Sequence, residues 1–215
     1  MARADAFVYL DTAQFPEAGW VHRNKLLVNG HAQWTTIPVL KSGRGPQRIC
    51  DVQIRESIAW RRKLVNRIEL EYARAQALRV ILPGLATALE SSYDNLVNIN
   101  LALLQWLREL LNINTPVFIA SSLDSEGHTG QEAQNATRRL VNLVKAVGGT
   151  AYLSGPSGRN YMDEKICRRE DIELVYNEYQ TAAYHQFNTE FVSGLSILDM
   201  ILWLGPDGAA RKIRA

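Results

Sequence analysis

Cysteine is nearly absent. Cys50 and Cys167 are the only two in 215 residues, they lie far apart, and neither belongs to a Cys-x-x-Cys pair or a His-rich spacing. That excludes a disulfide framework and a zinc module, and leaves reduced thiols that behave as small hydrophobes. Long apolar runs are missing too. None approaches the ~20 residues needed to cross a bilayer, and no basic segment followed by an apolar one opens the chain, so no membrane span is expected and the protein is assigned to the cytoplasm. Charge of one sign is not in excess: 24 Lys plus Arg stand against 22 Asp plus Glu. No global field therefore argues for nucleic acid as a partner. The four histidines, His22, His31, His128 and His185, show neither an i, i+4 pair nor His-Glu-x-x-His. No metal or cofactor is expected, and without a Gly-x-Ser-x-Gly elbow a serine hydrolase has little support.

What is present is 47% hydrophobic content, enough for one large core, and a single domain over residues 1–215 is the expectation. Ala6 to Leu10 reads as a buried strand that delivers Asp11 to a sheet edge, and Gln33 to Leu40 as a second strand with Pro38 at an edge or end. Helices are expected over Ser57 to Ala77, Ser92 to Leu111 (with Asn100 inside the apolar stripe), Asn135 to Val147 and Ser196 to Leu204, the last stopped by Gly205-Pro206, with a loose basic tail Arg211 to Arg214. Between Pro116 and Tyr176, strands alternate with helices: VFIA reads as a strand that ends at Ser121 and Ser122, and a polar loop follows from Asp124 to Gln131. The expected fold class is α/β, a mixed and mostly parallel sheet flanked by helices.

Three polar groups carry candidate chemistry. Asp11 to Lys25 follows a strand, where α/β proteins place ligands. In it Arg23 is suited to a phosphate or carboxylate and Asn24 to a hydroxyl or amide, although an Arg23–Asp11 scaffold pair fits the spacing equally well. Tyr152 to Tyr161 runs from a strand into Gly155-Pro-Ser-Gly158. Its N–H groups and Arg159 suit an anion, while an ordinary strand–helix turn is the alternative. Tyr176 to Phe191 is rich in aromatic and amide groups, with Tyr184, His185 and Gln186 able to contact a sugar or base, or to pack over the sheet.

The order ARADAFVYLD, QF, GW-x-x-RNK, W-x-T-I-P, YLSGPSGRNY, YHQF and SILDMILWLG resembles the WbqC-like family of bacterial surface-polysaccharide and specialised-metabolite gene clusters over essentially the whole chain. The family pattern falls on Asp11, Gln14, Trp20, Arg23, Asn24, Pro38, Ser154, Gly155, Tyr161, Tyr184, Gln186, Ser196 and Asp199. Two departures stand out. Members usually begin about one strand and one helix earlier, with a His-Gln-Pro segment ahead of the position of Ala2, so a first strand and a candidate catalytic histidine are expected to be lacking here. His22 stands where the family more often has Asn.

The resemblance implies a transferase that moves an acyl, aminoacyl or similar group to an amino sugar or related acceptor. Asp11 and His185 are the candidate catalytic bases. Gln14, Arg23, Asn24, Ser154, Gly155, Arg159, Tyr161, Tyr184 and Gln186 are the candidate binding residues. Asp11, Arg23, Asn24, Ser154, Tyr161, Tyr184 and Gln186 are expected to converge on one cleft, with Arg23 as principal anion contact. The expected partner is a small molecule, a nucleotide sugar or a carrier-bound acyl group. A homodimer is also expected, through a sheet edge left open by the absent first strand. The competing reading is a non-catalytic ligand-binding or assembly protein of the same pathway.

Overall fold

The computed structural model describes residues 1–55, 58–90, 93–125, 135–180, 182–187 and 190–214. The fold is mixed α/β; among the described residues two strand pairs are parallel and one is antiparallel, so pairing there is mostly parallel as expected. The chain forms two compact units, Met1–Thr12 with Thr115–Gln180, and Ala13–Asn114 with Thr181–Ala215.

In the first unit β1 (Phe7–Tyr9) pairs in parallel with β4 (Val117–Ile119), and β5 (Ala151–Ser154) with β6 (Glu173–Tyr176). The helices are α4 (Ala120–Ser125), α5 (Ala136–Ala146) and α6 (Glu164–Arg169). Asn135 and Asp163 start α5 and α6 by accepting N–H groups of the first turn, which water would otherwise have to satisfy. Two faces of α5 serve two small cores. Val141 and Val144 pack with Cys167, Ile172 and Tyr152, whereas Leu143 packs with Ala120, Leu123, Val8 and Phe118. Burial pushes the Cys167 thiol up, in keeping with an inert buried thiol.

The second unit holds the hairpin β2 (Arg23–Val28) and β3 (His31–Thr36), the helices α1 (Ile58–Glu71), α2 (Leu78–Glu90) and α3 (Leu96–Leu110), and α7 (Ile197–Arg214). One core joins Leu26, Val28, Ile68, Tyr72, Ile81, Leu96, Ile99, Ile201 and Leu202.

Several elements depart from the sequence reading. Arg23 to Lys25, the end of the polar group Asp11 to Lys25, open the first hairpin strand, Arg23–Val28. Asn29 and Gly30 turn the chain with φ of 49° and 77°, the left-handed geometry that an Asn-Gly hairpin turn needs. Helix α2 went unread because Pro83 and Gly84 interrupt its pattern, yet Leu78, Ile81, Leu85 and Leu89 keep a buried stripe. A β-carbon on Gly84 would lie 2.8 Å from Trp106 Nε1, so glycine there is what lets α2 meet α3 closely. The strand end expected at Ser121 and Ser122 is instead the first turn of α4, which also takes in Asp124 and Ser125 of the expected polar loop; the rest of that loop, residues 126–131, lies outside the described residues.

The tail is not loose. After the break at Gly205 (φ 73°) helical backbone resumes to Arg214. Ala209 and Ala210 are buried, and the Arg214 guanidinium donates to the carbonyls of Leu111 and Asn112, both at 2.8 Å, just past the end of α3. A cation at a helix C-terminus satisfies carbonyls that have no partner within the helix. Arg214→Ala is expected to lower stability by about 1 kcal/mol, read as a reduced urea midpoint at unchanged slope.

Candidate functional site

The candidate residues divide between the units. Asp11, Ser154, Gly155, Arg159 and Tyr161 belong to the first, and Gln14, Arg23, Asn24, Tyr184, His185 and Gln186 to the second.

In the first unit Asp11, 5% exposed, follows β1 and accepts from Ser121 twice, from N–H at 2.9 Å and from Oγ at 2.6 Å. Beside it, Arg139 donates to Thr12 Oγ1 at 2.5 Å and to Asp124 at 2.9 Å. These groups sit at the C-terminal ends of the parallel strands β1 and β4, where α/β folds commonly place ligands. The sequence reading missed Ser121 and Arg139; position after VFIA was the signal for the first.

The Gly155 to Gly158 segment is a short 3-10 helix, Pro156–Asn160. Its N–H groups at Gly158 and Tyr161 bond to the carbonyls of Gly155 and Gly158, and Arg159 stacks over Tyr176 and pairs with Glu178 at 3.1 Å. These are the contacts of a strand–helix turn. Gly158 has a steric purpose: a β-carbon there would fall 1.9 Å from Oγ of the buried Ser154. Gly158→Ala is expected to cost about 1–2 kcal/mol by forcing Ser154 out of place, checked by thermal unfolding alongside Gly155→Ala, where the space is open. Burial above all, with Tyr161 nearby, pushes the Tyr152 hydroxyl up to about 12, so it stays protonated.

The second unit contains a cavity of about 370 Å³ lined by Leu64, Leu85, Leu103 and Leu107, with Trp20, Arg23 and Asn24 from the hairpin side and Asn100 from α3. Such a volume falls in the range of small-molecule sites. Asn100 donates to the Val21 carbonyl at 2.8 Å, which answers its place in the apolar stripe. Arg23 donates Nε–H to the Gly19 carbonyl at 2.9 Å and lies 4.1 Å over the Trp34 ring. Gln14 is exposed and bridges to Arg48 through the backbone.

Tyr184 and Gln186 are turned onto a carboxylate. Asp199, with no exposed surface, accepts from Tyr72 at 2.9 Å, from Tyr184 at 2.5 Å and from Gln186 at 2.9 Å. Tyr72 in turn accepts from the Leu27 N–H. Burial and the Asp199 charge hold the Tyr72 hydroxyl far above its ordinary range, so it remains a donor. His185 is exposed, its ring 6.3 Å from that of Trp203.

His22 is buried against Phe15, and its Nδ1 has no hydrogen-bond partner among the described residues. Burial first, then Lys41 and Arg23, lower its pKa from the ordinary 6.5. The unfolded chain therefore binds a proton at this residue more readily than the folded one, and stability falls as pH drops through about 6.5 toward the lowered folded value. His22→Asn is expected to flatten that part of the stability profile, measured by urea unfolding from neutral to mildly acidic pH.

The WbqC-like protein family model matches residues 1–211. The chain belongs to the WbqC-like family. The uncharacterized protein Rv1507c of Mycobacterium tuberculosis (strain ATCC 25618 / H37Rv) is 31% identical to this WbqC-like chain over 209 residues, covering 96% of the chain and 87% of that protein. No solved structure matches it. Among the described residues no helix is long and apolar enough to cross a membrane, and no group of three or more His, Cys, Asp or Glu is placed to hold a metal ion.

Proposed function

We propose that this WbqC-like protein is a transferase of glycan or specialised-metabolite biosynthesis, which moves an acyl or aminoacyl group from an activated, phosphate-bearing donor to an amino sugar or related acceptor. The observation that supports it is the apolar cavity of the second unit with Arg23 among its lining residues. An apolar wall buries an acyl chain, and a guanidinium whose outer nitrogens have no hydrogen-bond partner among the described residues suits a phosphate. With a thioester donor, the acyl C–S bond breaks and a C–N bond forms. The acceptor amine gives its proton to a base, for which His185, in the same unit as the cavity, is the candidate, and the carrier leaves as thiol.

The test is a thermal-shift titration with octanoyl-coenzyme A, coenzyme A and a nucleotide sugar. Octanoyl-coenzyme A is expected to stabilise more than coenzyme A, with Leu103→Trp removing the difference by filling the cavity. Arg23→Ala is expected to weaken both ligands about tenfold, or ~1.4 kcal/mol, while costing the ligand-free fold no more than about 1 kcal/mol. Equal affinities in wild type and Arg23→Ala would remove the anion contact, and equal effects of the two coenzymes would remove the acyl site.

One observation favours the non-catalytic alternative: both oxygens of Asp11 are engaged by Ser121. Binding without release of thiol in the presence of amino sugars would decide for a ligand-binding protein.

A further inference from the structure

One face of the hairpin carries an exposed aromatic and basic cluster that the fold does not use. Strand alternation puts Arg23 and Lys25 on the same face of β2, with Trp34 directly across from Lys25 on β3. Trp20, just before the hairpin, leans on Trp34 with ring centroids 4.6 Å apart and planes at 54°. The two indoles are 58% and 38% exposed. Arg23 lies 4.1 Å above Trp34, and the Lys25 ammonium 5.0 Å from Trp34 and 5.6 Å from Trp20.

Neither cation forms a salt bridge among the described residues, whereas Arg48, Arg139, Lys145, Arg159 and Arg168 all do. Trp20 and Arg23 also line the apolar cavity, so the cluster borders it.

Single exposed apolar side chains are ordinary on protein surfaces, but two touching tryptophans with two uncompensated cations are an unusual expense for a solvated hairpin face. Cation–π contact accounts for the position of Arg23 on Trp34, yet it leaves the outer guanidinium nitrogens, the Lys25 ammonium and much of Trp20 open. Those are the complementary parts for a phosphate joined to a flat ring. The guanidinium offers two parallel donors, the ammonium a point charge, and the indole a stacking face.

We propose that Trp20, Trp34, Arg23 and Lys25 form a nucleoside-phosphate subsite at the edge of the cavity, with the base on Trp20 and the phosphates between Arg23 and Lys25. The subsite rests on the donor-binding reading above and narrows it: the activated donor is carried on a nucleotide.

The experiment is calorimetric titration of the full chain with ADP, UDP, inorganic pyrophosphate and glucose 1-phosphate, with tryptophan fluorescence as a second readout. The nucleotides are expected to bind and quench. Pyrophosphate and glucose 1-phosphate should bind at least tenfold more weakly, because they lack a base. Trp20→Ala is expected to weaken ADP about tenfold and leave pyrophosphate unchanged, whereas Lys25→Ala should weaken both severalfold. Pyrophosphate or glucose 1-phosphate binding as tightly as ADP would overturn the subsite, as would an ADP affinity that Trp20→Ala does not alter or a failure of both nucleotides to bind. None of these outcomes touches the acyl increment of octanoyl-coenzyme A over coenzyme A. Loss of that increment with ADP binding intact would refute the cavity reading alone.

Discussion

Asp199→Ala is expected to destabilise the fold by about 3–5 kcal/mol, the largest effect of any single polar substitution considered for this chain. Its carboxylate is wholly buried and takes three donors, Tyr72, Tyr184 and Gln186. Truncation strands those donors in a low-dielectric interior, where an unmade hydrogen bond costs more than a made one contributes. Damage should spread further, because Tyr72 also holds the Leu27 N–H of the hairpin and Gln186 holds the Val192 N–H and carbonyl. Urea unfolding of Asp199→Ala beside Asp199→Asn checks this. Asparagine keeps one acceptor oxygen and should lose visibly less. A loss under about 1 kcal/mol for alanine would show that the network contributes little to folding.

Asp11→Ala is expected to cost about 2–3 kcal/mol, because a buried carboxylate that accepts from Ser121 N–H and Oγ makes charge-assisted bonds at the start of α4. Asp11→Asn retains one acceptor and should recover at least half of that loss. Used together, the two variants separate scaffold from chemistry. If Asp11 acts as a base, Asn abolishes acyl transfer in a protein that melts near the wild type. If it serves only to anchor Ser121, transfer follows stability in both variants. The measurement is thiol release from the acyl carrier at matched folded fraction.

Much of the secondary structure was legible because periodicity is a local property. The strands at Phe7–Tyr9, Val117–Ile119, Ala151–Ser154 and Glu173–Tyr176 and the helices with an unbroken apolar stripe all follow from side-chain spacing alone. Where local signals conflict, tertiary packing decided. Pro83 and Gly84 weaken the helical pattern of α2, but burial of Leu78, Ile81, Leu85 and Leu89 outweighs them. The start of β2 looks polar because the strand opens on Arg23, Asn24 and Lys25, and only pairing with β3 reveals that they belong to a strand. The basic tail looked unattached because its anchor is two carbonyls about a hundred residues away in sequence.

For the site, residue chemistry by itself was enough to single out Asp11, Arg23, Asn24, Tyr184 and Gln186 as candidates. The family, too, was carried by the linear order of short segments, which no folding is needed to see. Which partners those residues take was a tertiary matter. Asp199 meets Tyr72 across 127 positions, Asp11 meets Ser121 across 110, and hairpin residues line a cavity with Leu64, Leu85 and Leu107 of three helices. Hydrogen bonds and apolar contacts act over a few ångströms. Pairings between groups so distant in sequence exist only once the chain has closed upon itself, and no local pattern announces them.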